Sequence, residues 1–230
     1  MFIPLHDSTP LKVIRFQAVT LAIIALNVLV YLLTGAFKPE AVLAATATGW
    51  GLVPGDMTGL LQTPVAYDPI PEPLTLVTYQ FLHAGWGHLL PNMLFLWVFA
   101  DNIEDAYGHA AFAFLYLASG VIAGLAHVLL MPGSSAPLVG ASGAVSGILG
   151  AYVVLFPRAR VWILLFMRLP LRIGALWVLG SWFALQLVSL WFQERTPDMA
   201  VAWGAHIGGF LAGAVITYAI RRRLWMRLES

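Results

Sequence analysis

This chain of 230 residues is 60% hydrophobic and only 10% charged, against about 25% charged in a soluble domain. With a mean hydropathy of +0.83 it reads as one membrane-embedded domain over 1–230 rather than a water-soluble fold. A net charge of +1 with no basic run before the C-terminus argues against nucleic acid as a partner, and the lack of cysteine removes disulfides, thiolate zinc sites and a thiol nucleophile.

Residues 1–12 form a short N-terminal segment ahead of the first predicted span, 13–34. Its apolar stretch, 16–33, exceeds the about 7–15 residues of a signal-peptide core, and Ala45-Thr46-Ala47 lies well beyond it, so a retained span is expected. Residues 35–87 are too long for a plain linker. They carry Trp50, Trp86 and many prolines with little charge, which predicts an external loop lying in the membrane interface. Further spans are predicted at 88–105, 110–131, 142–156, 173–191 and 199–220, near the roughly 20 residues a crossing takes. Between the fourth and fifth, 161–171 is apolar but broken by Arg168 and Pro170. It is expected to be a cytoplasmic interfacial stretch, with a seventh span as the alternative. Residues 221–230 are a cytoplasmic tail.

Lys12 and Arg15, then Arg158, Arg160, Arg168 and Arg172, then Arg221, Arg222, Arg223 and Arg227 all fall on one side if six spans intervene. Positive charge marks that side as cytoplasmic, with both termini inside. The expected fold is therefore all-α, a polytopic six-helix bundle. No internal repeat is visible, which weakens a transporter built from two related halves.

Polar residues within spans are costly and tend to mark function. Three groups stand out: Gly140-Ala141-Ser142-Gly143 opening the fourth span, His206 within Gly204-Ala205-His206-Ile207-Gly208-Gly209 in the sixth, and His88 with Asn92 in the second. Depth links them. Ser142 lies about 24 Å of helix above Arg158, and His206 about 22 Å above Arg221. Both therefore occupy one level near the outer face of a core about 30 Å thick, and His88 and Asn92 enter at that same end.

A serine hydroxyl needs a neighbouring base to become a nucleophile, and His206 is the candidate. The closest upstream carboxylate is Asp198, in a loop, so a Ser–His dyad without a buried acid is expected. His88 and Asn92, four apart, share a helical face. With the Ser142 N–H at a helix start they could bind an oxyanion, and Pro91 is tolerable in a first turn. Ser142, Ser146 and Gly150 make one small-residue stripe, and Ala205, Gly209 and Gly213 another, suited to close helix approach.

Each residue also has a plainer reading. Ser142 alone would be a packing serine, His206 a helix-to-helix hydrogen-bonding residue, and Asn92 packing glue; the shared level is what joins them. His83 is expected to be structural. His6, His109 and His127 lie at scattered depths, which argues against a zinc site; no metal and no cofactor are expected. Ala118-Ser119-Gly120 repeats part of the serine motif in mid-span, too deep to meet His206. The C-terminal arginines read as an inside anchor.

At these residues the chain resembles the rhomboid family of intramembrane serine proteases. The likeness rests on Gly140-Ala141-Ser142-Gly143, His88-Leu89-Leu90-Pro91-Asn92, Ala205-His206-Ile207-Gly208-Gly209 with Gly213, and Asn102-x-Glu104 before Gly108, over roughly 73–220. It implies cleavage of transmembrane protein substrates near their outer ends, preferably after small residues. It implies Ser142 as nucleophile, His206 as base, His88, Asn92 and the Ser142 N–H as oxyanion site, and Gly140, Gly143 and Gly209 in support. It also implies a multi-pass place in a bacterial inner membrane, in contact with lipid. Two departures stand out: Ser146 sits where many relatives carry an aromatic residue, and Leu74-Thr75 where many carry Trp-Arg. The alternative is a catalytically silent relative that binds or remodels membrane clients.

Overall fold

The computed structural model describes residues 2–62, 69–193 and 202–229. In chain order the elements are β1 (Phe2–Asp7), α1 (Ala18–Thr34), α2 (Glu40–Trp50), α3 (Pro54–Met57), α4 (Glu72–Thr78), a 3₁₀ turn (Tyr79–Phe81), α5 (Trp86–Tyr107), α6 (His109–Leu130), α7 (Ser142–Leu155), β2 (Arg160–Leu165), β3 (Leu169–Gly174), α8 (Ala175–Gln193) and α9 (Trp203–Glu229). Three of the helices, α6, α8 and α9, are long and apolar enough to cross a bilayer; α1 and α7 are apolar but shorter. The protein is an integral membrane protein, mostly helical. The expected start of the sixth span at Met199, and Asp198 with it, lie outside the described residues.

Helix α7 is the hub. Every residue from Gly143 to Tyr152 is buried, and its closest neighbour is α9. A Cβ on Gly213 would stand 1.8 Å from the Gly147 carbonyl oxygen, one on Gly209 2.0 Å from that of Gly143, and one on Gly150 2.1 Å from that of Phe210. The helices thus meet backbone to backbone, the close approach that small residues permit in lipid. The expected stripe of Ser142, Ser146 and Gly150 is corrected here. Gly143, Gly147 and Gly150 make the contact, one residue round the helix from the two serines.

At one end, two buried carboxylates at the foot of α5 organise the N-terminus. Glu104 accepts from the N–H groups of Val19 and Thr20 at 2.9 and 2.7 Å and from the Thr20 hydroxyl at 2.7 Å. It also bonds His109 Nδ1. Gln17 gives α1 no side-chain cap, so Glu104 fills that role from another helix, with negative charge at the positive helix end. Asp105 accepts from the N–H groups of Lys12, Val13 and Ile14 at 2.8, 2.8 and 2.7 Å. Asp105→Ala would strand three donors, and a loss of roughly 2–4 kcal/mol is expected. Faster amide exchange at Lys12, Val13 and Ile14 would report it; unchanged exchange there would refute this account of the N-terminus.

The all-α expectation needs correcting at this same end. Residues 161–171, expected as an interfacial stretch, form most of an antiparallel hairpin, and β1 joins it in the order β1-β2-β3. Phe2 pairs with Leu165 and Asp7 with Val161; Arg160 pairs with Gly174 and Leu165 with Leu169. Along β2 the side chains alternate, with Val161 and Ile163 buried and Arg160 and Trp162 turned out, the period-two pattern of a strand. A seventh span is thereby ruled out. Tyr152 in α7 donates to the Asp7 carboxylate, tying the sheet to the bundle. Burial pushes the Asp7 carboxyl above its ordinary value, with the Tyr152 and Thr9 hydrogen bonds acting the other way. Within 221–229 of the expected tail, α9 runs unbroken to Glu229, with Leu224 and Leu228 buried.

At the opposite end the described parts of the 35–87 connection fold onto the segment before α7. Leu52 and Leu138 exchange two backbone hydrogen bonds at 3.0 and 2.8 Å, and Gly55 N–H donates to the Ser134 carbonyl at 2.9 Å. Thr78 donates to the Trp50 carbonyl and Thr58 to that of Pro132. These bonds anchor the loop, and Leu74 and Thr75 sit in α4 within it.

Candidate active site

Three helix starts lie close together. Ser142 is the first residue of α7, His206 lies in the first turn of α9, and His88 in the first turn of α5. The Ser142 hydroxyl and His206 Nε2 are 2.9 Å apart, a hydrogen-bonding distance. The spacing to the basic ends placed them level; the glycine contact of α7 with α9 brings them together.

His88 and Asn92 line the same cavity as Ser142 and His206, a space of about 910 Å³, within the usual size of a ligand site. Phe95, Leu138, Val139, Val145, Leu149 and Trp182 supply much of its apolar wall. Asn92 Nδ2 donates to the His88 carbonyl at 2.9 Å and to His83 Nε2 at 3.3 Å. His83 is buried, and burial, then the nearby His88, pushes its pKa down to about 3. A neutral ring is what can accept from Asn92. The structural part expected for His83 thus has a partner. Pro91 is not in the first turn as expected: α5 starts at Trp86, so Pro91 is inside the helix, and the amide it lacks would have served exposed Gly87.

The glycines make room. Gly140 has φ of +125°, and a Cβ there would stand 2.6 Å from His88 Cε1, so only glycine lets that ring lie against the chain before Ser142. Its N–H donates to the Tyr79 carbonyl at 2.9 Å. A Cβ on Gly143 would stand 2.6 Å from that of Ala123, and Gly209 faces the Gly143 carbonyl. Ser119, the repeated motif, is fully buried and packs against Gly147.

Several residues were missed in the sequence. Gln186 of α8 meets His206 Nδ1 through Oε1 at 2.8 Å. The Trp182 ring lies 6.0 Å from that of His206, tilted 34°, and Trp203 meets it edge-on at 6.0 Å. The Ser146 hydroxyl donates to the Ser142 carbonyl at 2.6 Å. His127, weighed only as one of the histidines of a zinc site, is in the cavity wall. Among the described residues no group of three or more histidine, aspartate or glutamate side chains is placed to hold a metal ion.

Residues 71–223 match the rhomboid domain family. The chain is 30% identical over 71% of its length to the mitochondrial rhomboid protein 1 of Saccharomyces cerevisiae, covering 47% of that protein. It is 34% identical over 61% of its length to the rhomboid protease GluP of Bacillus subtilis, covering 25% of it. To the mouse rhomboid-related protein 2 it is 32% identical over 71% of its length, covering 54%. The chain therefore spans about half or less of these relatives. With its matched domain running from Pro71, before the turn at Tyr79, to Arg223 in α9, the chain belongs to the rhomboid family.

Proposed function

We propose that this protein is an intramembrane serine endopeptidase that hydrolyses peptide bonds near the outer ends of transmembrane substrates through Ser142 and His206. The observation that carries the reading is the 2.9 Å hydrogen bond between the two side chains in the wall of an apolar cavity. A packing serine needs no imidazole, and a client-binding relative needs neither group.

In this reading α1, α5, α6, α7, α8 and α9 each cross, with the arginine-rich end cytoplasmic, in a bacterial inner membrane. The 14 residues of α7 rise only about 21 Å, so it starts below the outer surface. The irregular backbone ahead of it is tolerable at that depth because it lines a cavity instead of facing lipid.

The Ser142 oxygen attacks the scissile carbonyl carbon while His206 Nε2 takes its proton. The negative charge that develops on the carbonyl oxygen meets the Ser142 N–H, which has no acceptor within its own helix, and the donors of Asn92 and His88. Three helix starts point the positive ends of their dipoles at this place. The imidazolium then protonates the leaving amine, which departs and leaves an ester on Ser142. Water, deprotonated by His206, cleaves the ester and restores both residues.

Asn92 must release the longer of its two bonds, that to His83, to serve the oxyanion. Asn92→Ala is expected to lower kcat by about 10²–10³-fold with little change in KM; an effect on kcat below about twofold would remove it from the oxyanion site. The reading as a whole is tested with purified protein in proteoliposomes and a transmembrane reporter substrate. Cleavage on the outer side of the reporter supports it, and none under any lipid condition counts against it.

A further inference from the structure

We propose that Gln186 is a positioning residue that fixes which nitrogen of His206 carries the ring proton; its consequence for turnover rests on the protease reading above. Gln186 is 3% exposed, and both ends of its amide are engaged. Its Nε2 donates at 3.2 Å to the Trp182 carbonyl one turn back in α8, and Oε1 faces His206 Nδ1 at 2.8 Å. These neighbours set the amide's direction. Turned over, it would put its oxygen against the Trp182 carbonyl oxygen, two acceptors without a hydrogen between them.

With an acceptor held against it, Nδ1 must bear the proton of the neutral ring. Nε2 is then a lone pair, and it is the atom 2.9 Å from the Ser142 hydroxyl. The other tautomer would leave Nδ1 and Oε1 as facing lone pairs and turn an N–H toward the serine, where no base would remain. When Nε2 takes the proton, the Nδ1–H bond to Gln186 persists and becomes charge-assisted. Trp182 and Trp203 fix the plane of the ring. Among the described residues the other titratable side chains on the cavity wall are His88 and His127, with no carboxylate among them. Ser146 is committed to the Ser142 carbonyl. The orientation that an acid gives in a soluble triad is supplied here by an uncharged amide, which avoids burying a carboxylate.

The test uses protein labelled with ¹⁵N-histidine, purified in detergent, with the His206 ring signals assigned by their loss in His206→Ala. The wild type is expected to show Nδ1 as the protonated nitrogen. Gln186→Leu, similar in size but without an acceptor, should lose that preference and lower kcat about 10–100-fold, with KM within about twofold. Gln186→Glu, which keeps an oxygen toward the ring, should retain the Nδ1–H form and a kcat within about fivefold of wild type. A wild-type ring protonated on Nε2 overturns the proposal whatever the variants do. So does Gln186→Leu with an unaltered tautomer and kcat, or a common loss in Leu and Glu variants that tracks their melting temperatures. An Nδ1–H form that depends on Gln186 in a protein that never cleaves would support the positioning and refute the protease.

Discussion

Ser142→Ala is expected to reduce cleavage of a transmembrane reporter by at least about 10⁴-fold, and His206→Ala by a similar factor. The reason lies in how the two depend on each other. Among the described residues the hydroxyl meets no base but His206, and the imidazole has no ester to hydrolyse until Ser142 has formed one. Removing either therefore removes the whole covalent step, and the double variant should be no worse than either single one. The bundle should survive, because Ser142 caps nothing through its side chain and α7 is held by buried contacts along its length. Initial rates in proteoliposomes, with circular dichroism of the same samples, separate loss of chemistry from loss of fold. Additive effects of the two substitutions would mean that they act on different steps.

The second large effect is expected from a residue that lines no part of the cavity. Gly213→Ala puts a Cβ 1.8 Å from the Gly147 carbonyl oxygen, where neither partner is a flexible side chain. The helices must separate by more than about 1 Å to restore ordinary contact, at a cost of about 1–3 kcal/mol. That separation opens the same seam that holds Ser142 against His206, and a misplacement near 1 Å costs on the order of 10²-fold in rate. A fall in thermal midpoint should thus accompany a fall in kcat. Gly180→Ala is the control: nothing lies within 4 Å of its added methyl, so both quantities should stay near wild type. Equal behaviour of the two variants would show that the α7–α9 contact does not set the site.

The residues of the site were legible where a single helix and a depth measurement were enough. Ser142 and His206 could be levelled by helix rise alone, because both helices run the same way toward arginine-rich ends. His88 and Asn92 followed from a four-residue spacing. What escaped was lateral. The face that α7 turns to α9 differs by one position between Ser142-Ser146 and Gly143-Gly147, and spacing cannot choose between adjacent faces without knowing the partner. Gln186 carried a signal that went unread: it is the one carboxamide in 173–191, an expensive residue in a span.

The sheet was hidden for a different reason. Its hairpin alternates over only Arg160 to Ile163, and its third strand is contributed by Phe2–Asp7, more than 150 positions away in sequence. Pairing at that distance leaves no local pattern. Glu104 was visible in the motif Asn102-x-Glu104 before Gly108 and Asp105 was not, and most partners of the two carboxylates are backbone amides, which have no sequence signature.

The most direct measurement is labelling by a fluorophosphonate probe of wild type, Ser142→Ala and His206→Ala, purified in parallel, with the modified residue located by mass spectrometry. A hydroxyl activated by an imidazole predicts one adduct on Ser142 in the wild type and none in either variant. Labelling of Ser142 that persists without His206, or a wild type that stays unmodified while folded, would contradict the account.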